Sequence, residues 1–331
     1  MSAPTAWRQR LITWPVLFLV APTLTLVFPG LVAGLAVRDA VLGTRWAGVR
    51  TALLGLFWVW LQVAGLSCAV SIVAVAWVRG RSGTAFEHDR LYALQDAWVA
   101  KMWETTVALY GLDVAFVGPQ RRVNGPVVAL IRHTSLADAA LATMALGIPH
   151  GLRPRYVLKR TLLWDPCLDF VGQRLPNAFV MKETGDPAAE VARVASLAEN
   201  LDPAAVCLIY PEGSRATAAR RERAIASLAK RGSDRVAAAS ALRHLLPPHT
   251  GGAVALLQRV PGDVVVISHL GLDGATGLGA LSRGILIGGR VRVSMRVWAR
   301  SELPDDADGL ADWVWERWTE MDNWIEAGGP T

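Results

Sequence analysis

Two stretches decide the reading of this chain: PVVALIRHTSLAD at residues 126–138 and VCLIYPEGSRAT at residues 206–217. Each opens with an unbroken apolar run of strand length, the pattern of a strand buried on both faces, and each ends in charged and hydroxyl residues. In the first, His133 stands at the strand exit and Asp138 follows five positions later. On a helix, such a pair would sit about 140° apart, so the two side chains meet only if the chain turns between them, which Thr134 and Ser135 permit. Ser135 and Asp138 also have the spacing of a capping box opening a helix over 137–146. In the second stretch, Gly213 allows a tight turn, and Arg215 can grip a phosphate through two parallel N–H donors. A plain surface ion pair between Glu212 and Arg215 is the structural alternative. Ser214 does not lie in a G-x-S-x-G setting, so the sequence does not support a nucleophile elbow.

Further candidate strands are 156–159, 178–181, 206–210, 264–269 and 291–297, with helical patterns between several of them. Buried strands alternating with helices indicate an α/β fold with a mostly parallel central sheet, whose chemistry collects beyond the carboxyl ends of the strands. Residues 87–112 have apolar positions every three or four residues and a stop at Gly111, predicting a helix. A stripe of Leu310, Val314, Trp318, Met321 and Ile325 predicts another near the C-terminus.

The chain as a whole is unusually apolar: 52% of its 331 residues are hydrophobic. Residues 11–37 and 52–78 contain no charged side chain, and each exceeds the roughly 20 residues that cross a bilayer. They predict an N-terminal membrane helical hairpin over 1–82, leaving 83–331 for one catalytic domain. Pro15, Pro22 and Pro29 predict that the first helix is kinked or broken. Arginines flank both runs, and counting them slightly favours a catalytic domain on the cytoplasmic side. The net charge of +6 points to an anionic partner. No zinc-finger spacing, RNP-like motif or long basic run indicates nucleic acid, and the three scattered cysteines indicate neither a metal site nor a disulfide framework.

These motifs resemble those of the glycerolipid acyltransferases, the lysophosphatidate (1-acyl-glycerol-3-phosphate O-) acyltransferase family. His133 and Asp138 match its first block; Glu212, Gly213 and Arg215 match its E-G-T-R block, with Ser214 in place of threonine. The middle block finds Lys159, Pro166, Gly172, Phe179 and Lys182, a lysine where many members have arginine. Residues 242–258 and the C-terminal tryptophan-rich helix are similar to the longer, eukaryote-like branch, although His249 and Gly251 replace its arginine and lysine. The block around VVVISHLGLDG lacks the family's proline. The resemblance implies a membrane enzyme that moves an acyl group from acyl-CoA or acyl carrier protein to lysophosphatidate, with His133 and Asp138 catalytic and no metal or other cofactor. It implies that Glu212, Gly213, Ser214, Arg215, Lys159 and Lys182 bind substrate, with membrane lipids as further partners. Another lysophospholipid or a glycolipid as acceptor, a hydrolase, or a non-catalytic lipid-binding protein of this fold are the alternatives.

Overall fold

The computed structural model describes residues 3–117, 122–135, 137–180 and 186–329. The chain forms two compact units, one of residues 1–112, 158–183 and 278–288, the other of residues 113–157, 184–277 and 289–331.

The first unit is built on three helices, α1 (Ala3–Leu42), α2 (Ala47–Val78) and α3 (Ala85–Tyr110). Both α1 and α2 are long and apolar enough to cross a membrane. Pro15, Pro22 and Pro29 lie inside one continuous helix, so of the kink or break expected from sequence the break does not occur. Each proline removes a single backbone bond, and the turns between them remain closed while α1 packs along α2. Leu17, Ala21, Val59, Leu66, Leu91 and Phe170 form the shared core, and Trp14 meets the Phe170 ring edge-on at 5.4 Å. Polar contacts secure both ends of this packing. Arg10 pairs with the buried Asp169 at 2.5 Å, and Arg38 donates to the carbonyl of Ser282 at 3.3 Å. Large apolar side chains remain exposed on both long helices, among them Leu19, Leu26, Val41, Trp60 and Trp77. The α3 helix ends as its sequence indicates, with Gly111 left-handed at φ 62°.

The sheet has seven strands: β1 (Asp113–Val117), β2 (Val127–Ile131), β3 (Arg153–Lys159), β4 (Ala178–Val180), β5 (Ala205–Ile209), β6 (Val264–Leu270) and β7 (Arg290–Trp298). Their order is β1-β7-β6-β2-β5-β3-β4. Strand β2 pairs in parallel with β5 on one side and β6 on the other, β3 continues the parallel run beyond β5, and only the β6–β7 pairing is antiparallel among those of known direction. Every residue of β2 and β5 is buried, as their continuous apolar runs require. Because β2, β5 and β6 are mutually parallel, their carboxyl ends lie along one edge and release His133, Glu212 and His269 there.

Helices α4 (Asp138–Ala142) and α5 (Ile148–His150), separated by a π turn at Thr143–Gly147, follow β2; α6 (Pro166–Phe170) belongs to the first unit. Then come α7 (Pro187–Ala195), α8 (Ala218–Lys230), α9 (Val236–Ala241), α10 (Thr250–Leu257), α11 (Leu278–Leu281) and α12 (Ala307–Glu326). The predicted stripe of α12 faces inward: Leu310, Val314, Trp318 and Met321 are buried. This helix also braces a loop. The Trp318 indole donates to the carbonyl of Leu246 at 3.0 Å, and the buried Asp322 carboxylate accepts the amides of Arg243, His244 and Leu245 at 2.8–3.0 Å. Residues 243–246 are thereby held by four hydrogen bonds from α12.

Candidate active site

His133 and Asp138 meet: His133 Nδ1 lies 3.1 Å from Asp138 Oδ2. The chain turns as it must, but not through a full capping box. The helix begins at Asp138 itself, and its carboxylate reaches back to the amides of Thr134 (2.5 Å) and Ser135 (2.7 Å) and to the Ser135 hydroxyl. The Ser135 oxygen accepts from Ala137 at 3.1 Å, too early for the serine to cap the third helical amide. Asp138 is therefore an acceptor for a closed turn as well as for the imidazole. It is completely buried. Burial pushes its pKa up, but the adjacent His269, the His133 contact and the Ser135 donors outweigh this and hold it below the usual carboxylate value. An ionised Asp138 accepts the Nδ1 proton and so leaves the Nε2 lone pair of His133 available. The imidazole is one-quarter exposed, at 24%.

The second motif supports the first from below. Glu212 is buried, and it forms no surface ion pair with Arg215. Its Oε2 accepts the His133 amide at 2.5 Å, and its Oε1 accepts the Leu246 amide at 2.9 Å. The carbonyl of His133 accepts from Ala216 at 2.8 Å, so residues 212–216 hold the histidine backbone on both sides. Burial and the negative charge of Asp138 push the Glu212 carboxyl up to about 8, against the pull of its two amide donors and of Arg132. Gly213 provides the anticipated turn at φ 60°, its amide donating to Tyr210 at 2.9 Å. A Cβ there would lie 3.3 Å from the His249 ring. Gly213→Ala is accordingly expected to destabilise the protein by about 1–2 kcal/mol, the cost of a left-handed non-glycine residue, read from thermal or denaturant unfolding.

Arg215 donates to the carbonyl of Thr276, and no carboxylate among the described residues pairs with it. Ser214 is buried, which removes it from ready contact with solvent. Lys159 closes β3 and is exposed, in the first unit. Lys182 lies outside the described residues.

Four contributors were not picked out from the sequence. His269, at the end of β6, is fully buried with Nε2 3.3 Å from the carbonyl of Arg132 and 3.5 Å from Asp138 Oδ1. Burial and the Arg132 charge hold its imidazole below the ordinary histidine pKa, while Asp138 pulls upward. Arg132 donates to the His269 carbonyl at 2.7 Å and grips Asp273 with both terminal nitrogens, at 3.2 and 2.5 Å. The Tyr210 ring stacks obliquely on His133 with centroids 4.7 Å apart, and its hydroxyl donates to the Asp138 carbonyl at 3.3 Å. The signal for His269 was present: VVVISH repeats the apolar-strand-then-histidine form of VVALIRH.

This constellation can hold a base, fix its tautomer and stabilise the charge the base acquires. The same residues fall within a known family. The family model described as Acyltransferase matches residues 113–269. Residues 113–269 are an acyltransferase-family domain. The acyltransferase domain contains all of the His133, Asp138, Glu212 and His269 geometry. Among solved structures, the chain is similar to the crystal structure of the 1-acyl-sn-glycerophosphate (LPA) acyltransferase, PlsC, from Thermotoga maritima. The match has a TM-score of 0.55 and 14% sequence identity, covering 85% of this chain and 98% of that one. No curated protein matches the sequence. At that identity the likeness establishes the fold alone.

Proposed function

We propose that the chain is a membrane-bound enzyme transferring a fatty acyl group from acyl-CoA or acyl carrier protein to the free hydroxyl of lysophosphatidate, forming phosphatidate. Residues 1–82 serve as the anchor and 83–331 carry catalysis on the cytoplasmic side. The observation that carries this reading is the His133 Nδ1 to Asp138 Oδ2 contact, made by an aspartate completely buried beneath a partly exposed imidazole.

His133 Nε2 takes the proton of the acceptor hydroxyl as its oxygen attacks the thioester carbonyl. Asp138 stabilises the imidazolium that forms. Collapse of the tetrahedral intermediate breaks the carbon–sulfur bond, and the departing thiolate takes the proton from Nε2, leaving an ester and a free thiol. Arg215, without a carboxylate partner among the described residues, binds the acceptor phosphate, and this positions the hydroxyl. Glu212 and Gly213 act one step back: they position the backbone of His133 and the loop that presents Arg215. The PlsC likeness supports a lysophosphatidate acceptor because that neighbour is a 1-acyl-sn-glycerophosphate (LPA) acyltransferase.

The test is thiol release from long-chain acyl-CoA by the detergent-purified full chain, with and without lysophosphatidate. Release that depends on the acceptor and disappears in His133→Ala is the expected result. Release without acceptor would instead identify a thioester hydrolase, and none with either donor type would remove the catalytic reading.

A further inference from the structure

The second unit contains a cavity of about 230 Å³ beside the active histidine, lined by Arg132, Thr217, Arg221, Arg243, His244 and Asp273 among others. Its basic character is not fully compensated. Arg132 is neutralised by Asp273, and Arg243 and His244 share Glu326, at 2.5 and 2.6 Å. Arg221 donates only to the carbonyl of Arg243, and among the described residues no carboxylate pairs with it. The cavity also receives the start of α8, a 13-residue helix whose N-cap Thr217 accepts the Arg220 amide. The first-turn amides and positive dipole end of such a helix favour an anion.

Arg132 forms an inner wall of this cavity, its terminal nitrogens taken by Asp273 and the His269 carbonyl. Arg221 and Arg243 stand on the open side, with Arg221 lacking a carboxylate among the described residues. Guanidinium groups converging on one cavity, one of them uncompensated, are the elements of a phosphate site.

We infer that this cavity is a phosphate-binding subsite separate from Arg215, accepting a phosphate ester carried by one of the two substrates. The inference takes from the proposed reaction only that both substrates carry phosphate. Arg132 links the subsite to catalysis, since it is the residue before His133 and donates to the carbonyl of His269 beside Asp138. Phosphate held there is held next to the base.

Binding of inorganic pyrophosphate to the full chain in detergent, measured by titration calorimetry, tests the subsite without reference to turnover. Arg221→Gln is expected to weaken it at least tenfold, Arg221→Lys less, and Arg215→Gln little. Absence of binding to the wild-type chain, equal affinity in wild type and an Arg221→Gln/Arg243→Gln double variant, or loss in Arg215→Gln alone, would overturn the inference. Steady-state kinetics then identify the source. A raised KM for acyl-CoA alone in Arg221→Gln assigns the donor's phosphates, and a raised KM for lysophosphatidate alone assigns the acceptor's. Pyrophosphate binding with neither KM altered would mean an adventitious anion site and defeat the substrate role. If wild type bound pyrophosphate but transferred no acyl group to any acceptor, the proposed reaction would fail while the anion site stood.

Discussion

Asp138→Asn is expected to lower kcat by about 10²–10⁴-fold, the span associated with general-base catalysis, while leaving the chain folded. The reason lies in how many donors the carboxylate serves. Oδ2 accepts from His133 Nδ1 and from the amides of Thr134 and Ser135, so in the variant the one remaining amide oxygen must occupy that position. The new NH₂ group then faces the Ser135 hydroxyl, which can accept, and lies near His269 Nε2, which cannot do so while it donates to Arg132. Oxygen placement at Oδ2 preserves the tautomer of His133, but the negative charge that stabilises the imidazolium is gone. Loss of rate without loss of substrate affinity follows, because that charge matters only once the proton has moved. His133→Ala removes the base itself and is expected to fall in the same range. The double variant should be no worse than His133→Ala alone, since Asp138 acts through the imidazole. Initial rates at saturating lysophosphatidate, with thermal unfolding of each variant as control, provide the test. Strictly multiplicative losses would show that Asp138 has a separate function.

Strands β2, β5 and β6 were legible because burial on both faces leaves uninterrupted apolar runs, and the mostly parallel sheet followed from their alternation with helices. Strand β1 was not legible. It is five residues long and partly exposed, and its partner β7 joins it from far along the chain, so nothing local distinguishes DVAFV from a loop. The prolines of α1 suggested a break that does not occur, because local bond loss was weighed without the packing of α2. Within the site, His133 and Asp138 are close in sequence, and their spacing could be interpreted. Glu212 could not be placed by spacing: whether EGSR lies on the surface or beneath the histidine depends on residues 243–246, which Trp318 and Asp322 anchor from 72 to 79 positions away. Long-range burial makes Glu212 an internal support for the His133 backbone, and the same kind of information was needed to connect His269 with Asp138.

Glu212→Ala is the variant expected to cost the most stability, about 2–5 kcal/mol, and its effect should reach catalysis through the backbone. Removing the carboxyl leaves two buried amides, those of His133 and Leu246, without their acceptor, each worth about 1–3 kcal/mol when unsatisfied. Glu212→Gln retains one acceptor oxygen but turns an NH₂ toward the other amide, so it should lie between wild type and alanine. The variants also differ from wild type in their response to pH. The folded-state pKa of Glu212, about 8, is above its ordinary value of 4.5, so the native state binds this proton more tightly than the unfolded chain does. Its favourable contribution is therefore complete below about pH 4.5, diminishes as pH rises toward 8, and does not change further above that. Glutamine cannot titrate, so the difference in stability between wild type and Glu212→Gln should narrow as pH rises through this window. Unfolding midpoints of both proteins from pH 5 to 9 measure that difference directly, and other titrating groups cancel in the comparison. A gap that widened with pH would mean that the carboxyl is ionised in the folded protein. The amides of His133 and Leu246, together with Arg132, would then dominate burial, and His133 would be held by a charge instead of a neutral acid.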